Sequence, residues 1–223
     1  MIDAILFDLD GILTDPGTGI TKSVQYSLKK YQIDIKDLSK LYKFVGPPLK
    51  DSYMKYFSFS DEKAAEAVEY YREYYSEKGI YENSVYDGVP ELLEWLKKRG
   101  LKIALATSKP TRFAKTIIRH FKMDRFFDQI IGSNLDNSRT DKKEIIEEAL
   151  GRLKKKNSEV LMIGDRKFDI VGAKANGVKS VGVLYGYGSK EEIENEGPNF
   201  IAKNAADLGR IIGRITLPFR NLA

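Results

Sequence analysis

The chain is predicted to be an α/β protein, a parallel sheet with helices packed on it and a small helical segment inserted after the first strand. Three observations predict this. The apolar run Ala4-Ile5-Leu6-Phe7 ends abruptly in Asp8-Leu9-Asp10-Gly11, as a strand buried on both faces does where it delivers acidic groups to a sheet edge. From Gly88 onward, short apolar runs alternate with helical patterns, the rhythm of right-handed crossovers in a parallel sheet. Between Leu13 and Tyr86 that rhythm stops and the pattern is helical.

In the inserted segment, Ile20, Val24, Leu28 and Tyr31 recur at helical spacing. Phe44-Val45-Gly46-Pro47-Pro48-Leu49 breaks the pattern. Ser60 suits the N-cap of a long helix that Gly79 would end. Tyr70, Tyr71, Tyr74 and Tyr75 give that helix an aromatic side. Packing into a small bundle is its plain explanation, and a ligand-stacking surface the alternative. Where the α/β pattern resumes, Pro90 fits a first helical turn and Gly100 its end, with Leu92, Leu93, Trp95 and Leu96 between. Strands follow over 101–107, 129–132, 160–164 and 180–184, with helices over 111–121, 141–155 and 167–175. The tail 216–223 reads as peripheral. The expected division is a core of 1–15 with 86–223 and a helical segment of 16–85.

A chain of 223 residues has room for one large or two small domains. Its 42% hydrophobic content supplies a core, and its 31% charged residues supply a soluble surface. The absence of cysteine excludes disulfides, thiolate metal sites and a cysteine nucleophile, and fits a reducing cytoplasm. Asp3, Asp8 and Asp10 interrupt the start of the chain, so neither a signal peptide nor a transmembrane helix is expected. The net charge of +5 is scattered along the chain. Its densest run, Lys154-Lys155-Lys156, closes a predicted helix where cations suit the dipole. Without interleaved aromatics it reads as a solvated helix end and not a nucleic-acid patch. The expected partner is therefore a small molecule, for a cytoplasmic monomer or homodimer that engages neither nucleic acid polymer nor membrane.

In a parallel sheet the carboxyl ends of all strands share one edge, where ligands bind. Asp8 and Asp10 would point the same way there. They would repel each other unless a cation, a proton or nearby donors offset the charge, and a divalent metal with oxygen ligands does so economically. Thr107 and Ser108 follow the second core strand, Lys142 opens the helix after the third, and Asp165 and Asp169 follow the fourth. Taken together these groups suit phosphoryl transfer. One carboxylate attacks phosphorus, and a second protonates the leaving alcohol and activates water. A hydroxyl, backbone amides and a lysine bind the remaining oxygens. The single histidine, His120, lies on a helix away from this rim and reads as structural.

The chain resembles a haloacid dehalogenase-superfamily phosphatase over essentially its whole length. The resemblance is carried by Asp8-Leu9-Asp10-Gly11 with Asp15, by Ala106-Thr107-Ser108-Lys109-Pro110, by Lys142, and by Gly164-Asp165-Arg166-Lys167-Phe168-Asp169. It implies a Rossmann-like core with an α-helical cap. It implies Asp8 as nucleophile, Asp10 as acid/base, Thr107 as the phosphate-binding hydroxyl and Lys142 as the stabilising cation, with Lys143 next to it leaving a one-residue ambiguity. Magnesium would be held by Asp8, by Asp165, by the backbone carbonyl of Asp10, and by Asp169 as ligand or support. Gly11 and Ser108 fall on the substrate side of the site. Lys50 and the Gly46-Pro47-Pro48 turn are cap candidates for touching the leaving group, and Lys50 could equally be solvated. Ile12 stands where many members have threonine. Dehalogenases of the superfamily lack the second aspartate, so Asp10 speaks against that chemistry. Phe44 to Leu49, Tyr71-Arg72-Glu73-Tyr74-Tyr75 and Leu184-Tyr185-Gly186-Tyr187-Gly188 resemble the branch labelled 5′-nucleotidase or phosphoglycolate phosphatase. The expected activity is magnesium-dependent hydrolysis of a small phosphate ester, a nucleoside 5′-monophosphate first and 2-phosphoglycolate second. A phosphomutase and a non-catalytic phosphometabolite-binding protein are its rivals.

Overall fold

A computed structural model describes residues 1–135 and 138–216. The chain opens with β1 (Ala4–Phe7), β2 (Thr14–Asp15) and α1 (Gly17–Lys29). After a 3₁₀ segment over Leu38–Phe44 come α2 (Leu49–Phe57), α3 (Asp61–Tyr74) and β3 (Ser84–Val85). The α/β part continues with α4 (Val89–Lys98), β4 (Lys102–Pro110), α5 (Thr111–His120), β5 (Gln129–Ser133), α6 (Lys142–Leu153), β6 (Val160–Gly164) and α7 (Lys167–Ala175). It ends with β7 (Lys179–Val183), α8 (Lys190–Asn195), β8 (Phe200–Ala202) and α9 (Ala205–Ile215).

Six strands form a parallel sheet in the order β5-β4-β1-β6-β7-β8. The fully buried β1 lies at its centre, with Phe7 level with Leu105 on one side and Ile163 on the other. The chain fills the sheet outward from β1 in both directions. This makes the carboxyl end of β1 the switch point where an α/β sheet opens a crevice. One face of the sheet packs Leu6, Ala104, Ala106 and Met162 against Ile145, Ile146 and Ala149 of α6 and Ala173 of α7. The small alanines let the helices lie close, and burial of this apolar surface is the main stabilising contribution.

The backbone divides into two compact units, Met1–Leu13 with Val85–Ala223, and Thr14–Ser84. In the second unit, Ile20, Val24 and Leu28 of α1 are buried, and Ser27 Oγ donates to Ala67 O of α3 at 2.7 Å. Ser60 Oγ caps α3 by accepting from Lys63 N. The helix continues past Tyr74 as a turn of π-helix that ends at Gly79. Of the four tyrosines on its aromatic side, Tyr71 and Tyr75 are buried and stacked on each other at 5.1 Å, as bundle packing requires.

The strands and helices expected after Gly88 are present, with β6 and α7 at the expected bounds and other ends shifted by at most three residues. α8, β8 and α9 add to them. Thr216 is buried and bridges Ile2, and residues 217–223 of the expected tail lie outside the described residues.

Candidate active site

Asp8 follows the last residue of β1 and is 8% exposed. Its Oδ1 accepts from Leu9 N at 2.7 Å, and its Oδ2 lies 3.0 Å from Lys142 Nζ. Lys142 sits in the first turn of α6, which Asp141 caps by accepting from Lys143 N. That turn directs Lys142 inward, where its ammonium also meets Asp169 Oδ1 at 2.8 Å and Ala106 O at 3.0 Å. Burial works against this ammonium, but the Asp169 and Asp8 carboxylates outweigh burial and raise its pKa above the ordinary lysine value. Lys143 is exposed.

Asp10 makes a different pair. Its Oδ2 lies 2.9 Å from Lys109 Nζ, while its Oδ1 is buried without a hydrogen-bond partner. Burial raises the Asp10 pKa, and the charge of Lys109 opposes that rise. Thr107 is buried, and its Oγ1 accepts from Lys109 N at 3.2 Å. Ser108 Oγ donates to Thr140 O at 3.1 Å, so its hydroxyl proton serves the neighbouring loop.

Asp165 and Asp169 come from the end of β6 and the first turn of α7. Asp169 Oδ2 accepts from Arg166 N at 3.2 Å, and burial raises its pKa to about 6. Asp165 Oδ2 accepts from Tyr187 N at 2.7 Å, while its Oδ1 is buried with no partner. Burial, followed by the charges of Asp169 and Asp8, raises its pKa well above the ordinary value. Glycines pack directly on this residue. A Cβ on Gly11, where φ is +80°, would fall 2.0 Å from Asp165 Oδ2, and one on Gly186 would fall 2.4 Å from the same atom. Gly11 thus bears on the site through close backbone approach.

Carboxylate oxygens of Asp8, Asp165 and Asp169 lie within 4.8 Å of one another. The orphaned Asp165 Oδ1 and the raised pKa values mark an unbalanced negative site. Four carboxylates, with Asp10, face the two ammoniums of Lys109 and Lys142, which leaves the charge of one divalent cation. An all-oxygen donor set suits a hard cation. The Asp10 carboxylate is not part of the group of three; its partner is Lys109.

Lys50 belongs to α2 and pairs with Asp61 at 2.6 Å. His120 closes α5 against Phe121. The sequence reading assigned no role to Lys109 or to the backbone of Tyr187, which are brought against Asp10 and Asp165. The Thr107-Ser108-Lys109-Pro110 run and the Gly186-Tyr187-Gly188 run were the available signals.

Residues 5–183 match the family model of haloacid dehalogenase-like hydrolases. The chain belongs to that family. A 5′-nucleotidase from Pseudomonas aeruginosa is 48% identical over 93% of this chain and 94% of its own length. A tyrosine-protein kinase, PtkA of Mycobacterium tuberculosis, is 36% identical over 85% of this chain and 65% of its own length. The crystal structure of a predicted phosphatase from Clostridium acetobutylicum superposes with a TM-score of 0.94 at 48% identity, covering 96% of this chain and all of that one. This member of the haloacid dehalogenase-like hydrolases is thus an enzyme of the phosphatase kind, with an acidic triad on its sheet edge.

Proposed function

We propose that the enzyme is a magnesium-dependent phosphomonoesterase that works through an aspartyl-phosphate on Asp8 and favours a nucleoside 5′-monophosphate. One observation carries the reading: two carboxylates two residues apart, each held by its own lysine, Asp8 by Lys142 and Asp10 by Lys109. This separates their roles, because Asp8 faces the ammonium that also meets Asp169, while burial raises the pKa of Asp10 against the charge of Lys109.

In the forward step an Asp8 oxygen attacks phosphorus, the ester P–O bond breaks, and Asp10 gives its proton to the leaving alcohol. Asp10, now a carboxylate, takes a proton from water as that water attacks the aspartyl-phosphate, which returns Asp8 and releases phosphate. Thr107 Oγ1 and Lys142 Nζ bind phosphate oxygens and keep the nucleophile oriented. Asp8, Asp165 and Asp169, with the Asp10 carbonyl, would hold magnesium, which when bound neutralises negative charge on the phosphoryl group. Gly11 and Ser108 would offer backbone N–H groups to the same oxygens. The segment 16–85 would act as a lid that selects the leaving group, with Lys50 among its contacts. The nucleotide preference is supported by the 48% identical 5′-nucleotidase. Among the described residues no helix is long and apolar enough to cross a membrane, which is compatible with a cytoplasmic enzyme.

Phosphate release over nucleotides, sugar phosphates and 2-phosphoglycolate, with and without magnesium, tests this. Nucleoside 5′-monophosphates should give the highest kcat/KM, chelation should remove activity, and Asp8→Asn should abolish it. A best substrate of 2-phosphoglycolate, or a bisphosphate requirement for turnover, would overturn the substrate or the reaction type. Lys50→Met should change the ranking of substrates; a uniform loss across the panel would refute its role in selection.

A further inference from the structure

The strand β4 does not stop where its apolar pattern does. Thr107 is level with Gly132 of β5, yet the next paired position joins Pro110 to Ser133. Ser108 and Lys109 are interposed on β4 with nothing opposite them. Such a bulge re-aims side chains at a strand end. Here it is pinned from three directions. Ser133 Oγ donates to Ser108 O at 2.8 Å, Ser108 Oγ donates to Thr140 O at 3.1 Å, and Lys109 N donates to Thr107 Oγ1 at 3.2 Å. Gly132 lets the bulge come close, since a Cβ there would fall 2.3 Å from Lys109 O.

The consequence is a lysine side chain only 7% exposed, with its ammonium 2.9 Å from Asp10 Oδ2. A carboxyl group has two oxygens, and this contact occupies one. The other, Oδ1, is buried and has no hydrogen-bond partner. The ammonium holds Oδ2 in place and with it the orientation of the whole carboxyl group. Oδ1 is then the oxygen left to meet a second group.

We infer that Lys109 is a positioning residue that reserves Asp10 Oδ1 as the proton-donating oxygen toward the leaving alcohol. The inference rests on the proposed acid/base role of Asp10 and adds to it which oxygen acts and what holds it. In the step concerned, the ester P–O bond breaks as the Asp8–phosphorus bond forms. The proton on Asp10 Oδ1 passes to the departing oxygen, leaving Asp10 as a carboxylate paired with Lys109.

The role separates from a merely structural one by leaving group. An alkyl phosphate releases a basic alkoxide that needs the proton, whereas p-nitrophenyl phosphate releases a stable phenolate that does not. With Lys109→Met, kcat/KM should fall on the order of 10²-fold for an alkyl phosphate and less than about tenfold for p-nitrophenyl phosphate. Lys109→Arg, which keeps a cation, should recover part of the alkyl loss. If the methionine variant folds poorly, Lys109→Gln gives the same comparison. Equal losses on both esters would overturn the inference. Asp10→Ala, run in parallel, keeps the two readings apart. If Asp10→Ala shows the leaving-group split and Lys109→Met does not, only the role of Lys109 falls. If Asp10→Ala shows no split, the acid/base reading falls and the inference with it.

Discussion

Lys142 shows how much one side chain can hold together. Its ammonium meets Asp8, Asp169 and the Ala106 carbonyl, so it ties β1, α7 and β4 to α6 at one point. Removing the charge leaves two buried carboxylates uncompensated, and breaking a buried pair in this way costs roughly 3–5 kcal/mol. Lys142→Met should therefore lower unfolding free energy by about that amount, measured by denaturant titration, and should abolish phosphate release. Lys143→Met, on an exposed side chain one residue away, should change stability by less than about 0.5 kcal/mol. Near-wild-type stability of Lys142→Met would contradict the assignment. In sequence the two lysines are indistinguishable, because either can stand in a first helical turn. What separates them is the Asp141 cap, which sets the rotation of α6 and turns Lys142 toward the sheet. Asp8, Asp10, Thr107, Asp165 and Asp169 were legible for a simpler reason. Asp8 with Asp10, Thr107 and Asp165 stand where an apolar run ends at the sheet edge, and Asp169 stands one helical turn beyond Asp165.

At the scale of elements, long apolar runs with glycine or proline boundaries were legible, and short or polar ones were not. The run Leu161-Met162-Ile163 announces β6. Phe200-Ile201-Ala202 is too brief to stand out as β8, and the paired dipeptides β2 and β3 have no periodicity at all. The extension of β4 through Pro110 was hidden because Ser108 and Lys109 look like a loop. Asn204, which caps α9 by accepting from Asp207 N, was a usable signal for that helix. The loop after β7 was visible only as a glycine-rich run, and its meaning is steric. Gly186 lets the backbone lie against Asp165 while Tyr187 N holds Asp165 Oδ2. Gly186→Ala should push Asp165 out of place and weaken magnesium affinity about 10–100-fold, read by calorimetric titration. Gly151→Ala in α6 is the control, since nothing lies within 4 Å of a Cβ there. It should leave affinity unchanged and raise stability by about 0.5–1 kcal/mol. Unaltered magnesium binding in the Gly186 variant would show that the loop does not position Asp165.

For the whole molecule, the active site is a place where stability is given up and can be restored. A carboxyl whose pKa is higher folded than unfolded binds more protons in the folded state between the two values. Stability then falls as pH rises across that window. Asp169, raised from 3.8 to about 6 by burial, sets such a window, and the upward shifts of Asp165 and Asp10 act in the same direction. Lys142 has linkage of the same sign in a much higher window. Its raised pKa contributes stability that is complete at neutral pH and is lost only above the ordinary lysine range, so it does not alter the trend between pH 4 and 7. Protons and a divalent cation therefore relieve the same repulsion and compete for the same oxygens. Magnesium should raise Tm by several degrees at pH 7.5, because a ligand at about 100 times its Kd adds roughly 2.7 kcal/mol and each kcal/mol moves a chain of this size by about 2–4 °C. At pH 5 the same magnesium should raise Tm less, since that lies below the raised pKa of Asp169. Thermal melts at both pH values, with chelator or with magnesium, measure the difference directly. Substituting Asp165→Asn removes one of the competing charges, so the chelated protein should melt higher at pH 7.5 and respond less to magnesium. A magnesium increment that is equal at the two pH values would mean that the cation binds away from these carboxylates, and the charge balance drawn for the site would be wrong.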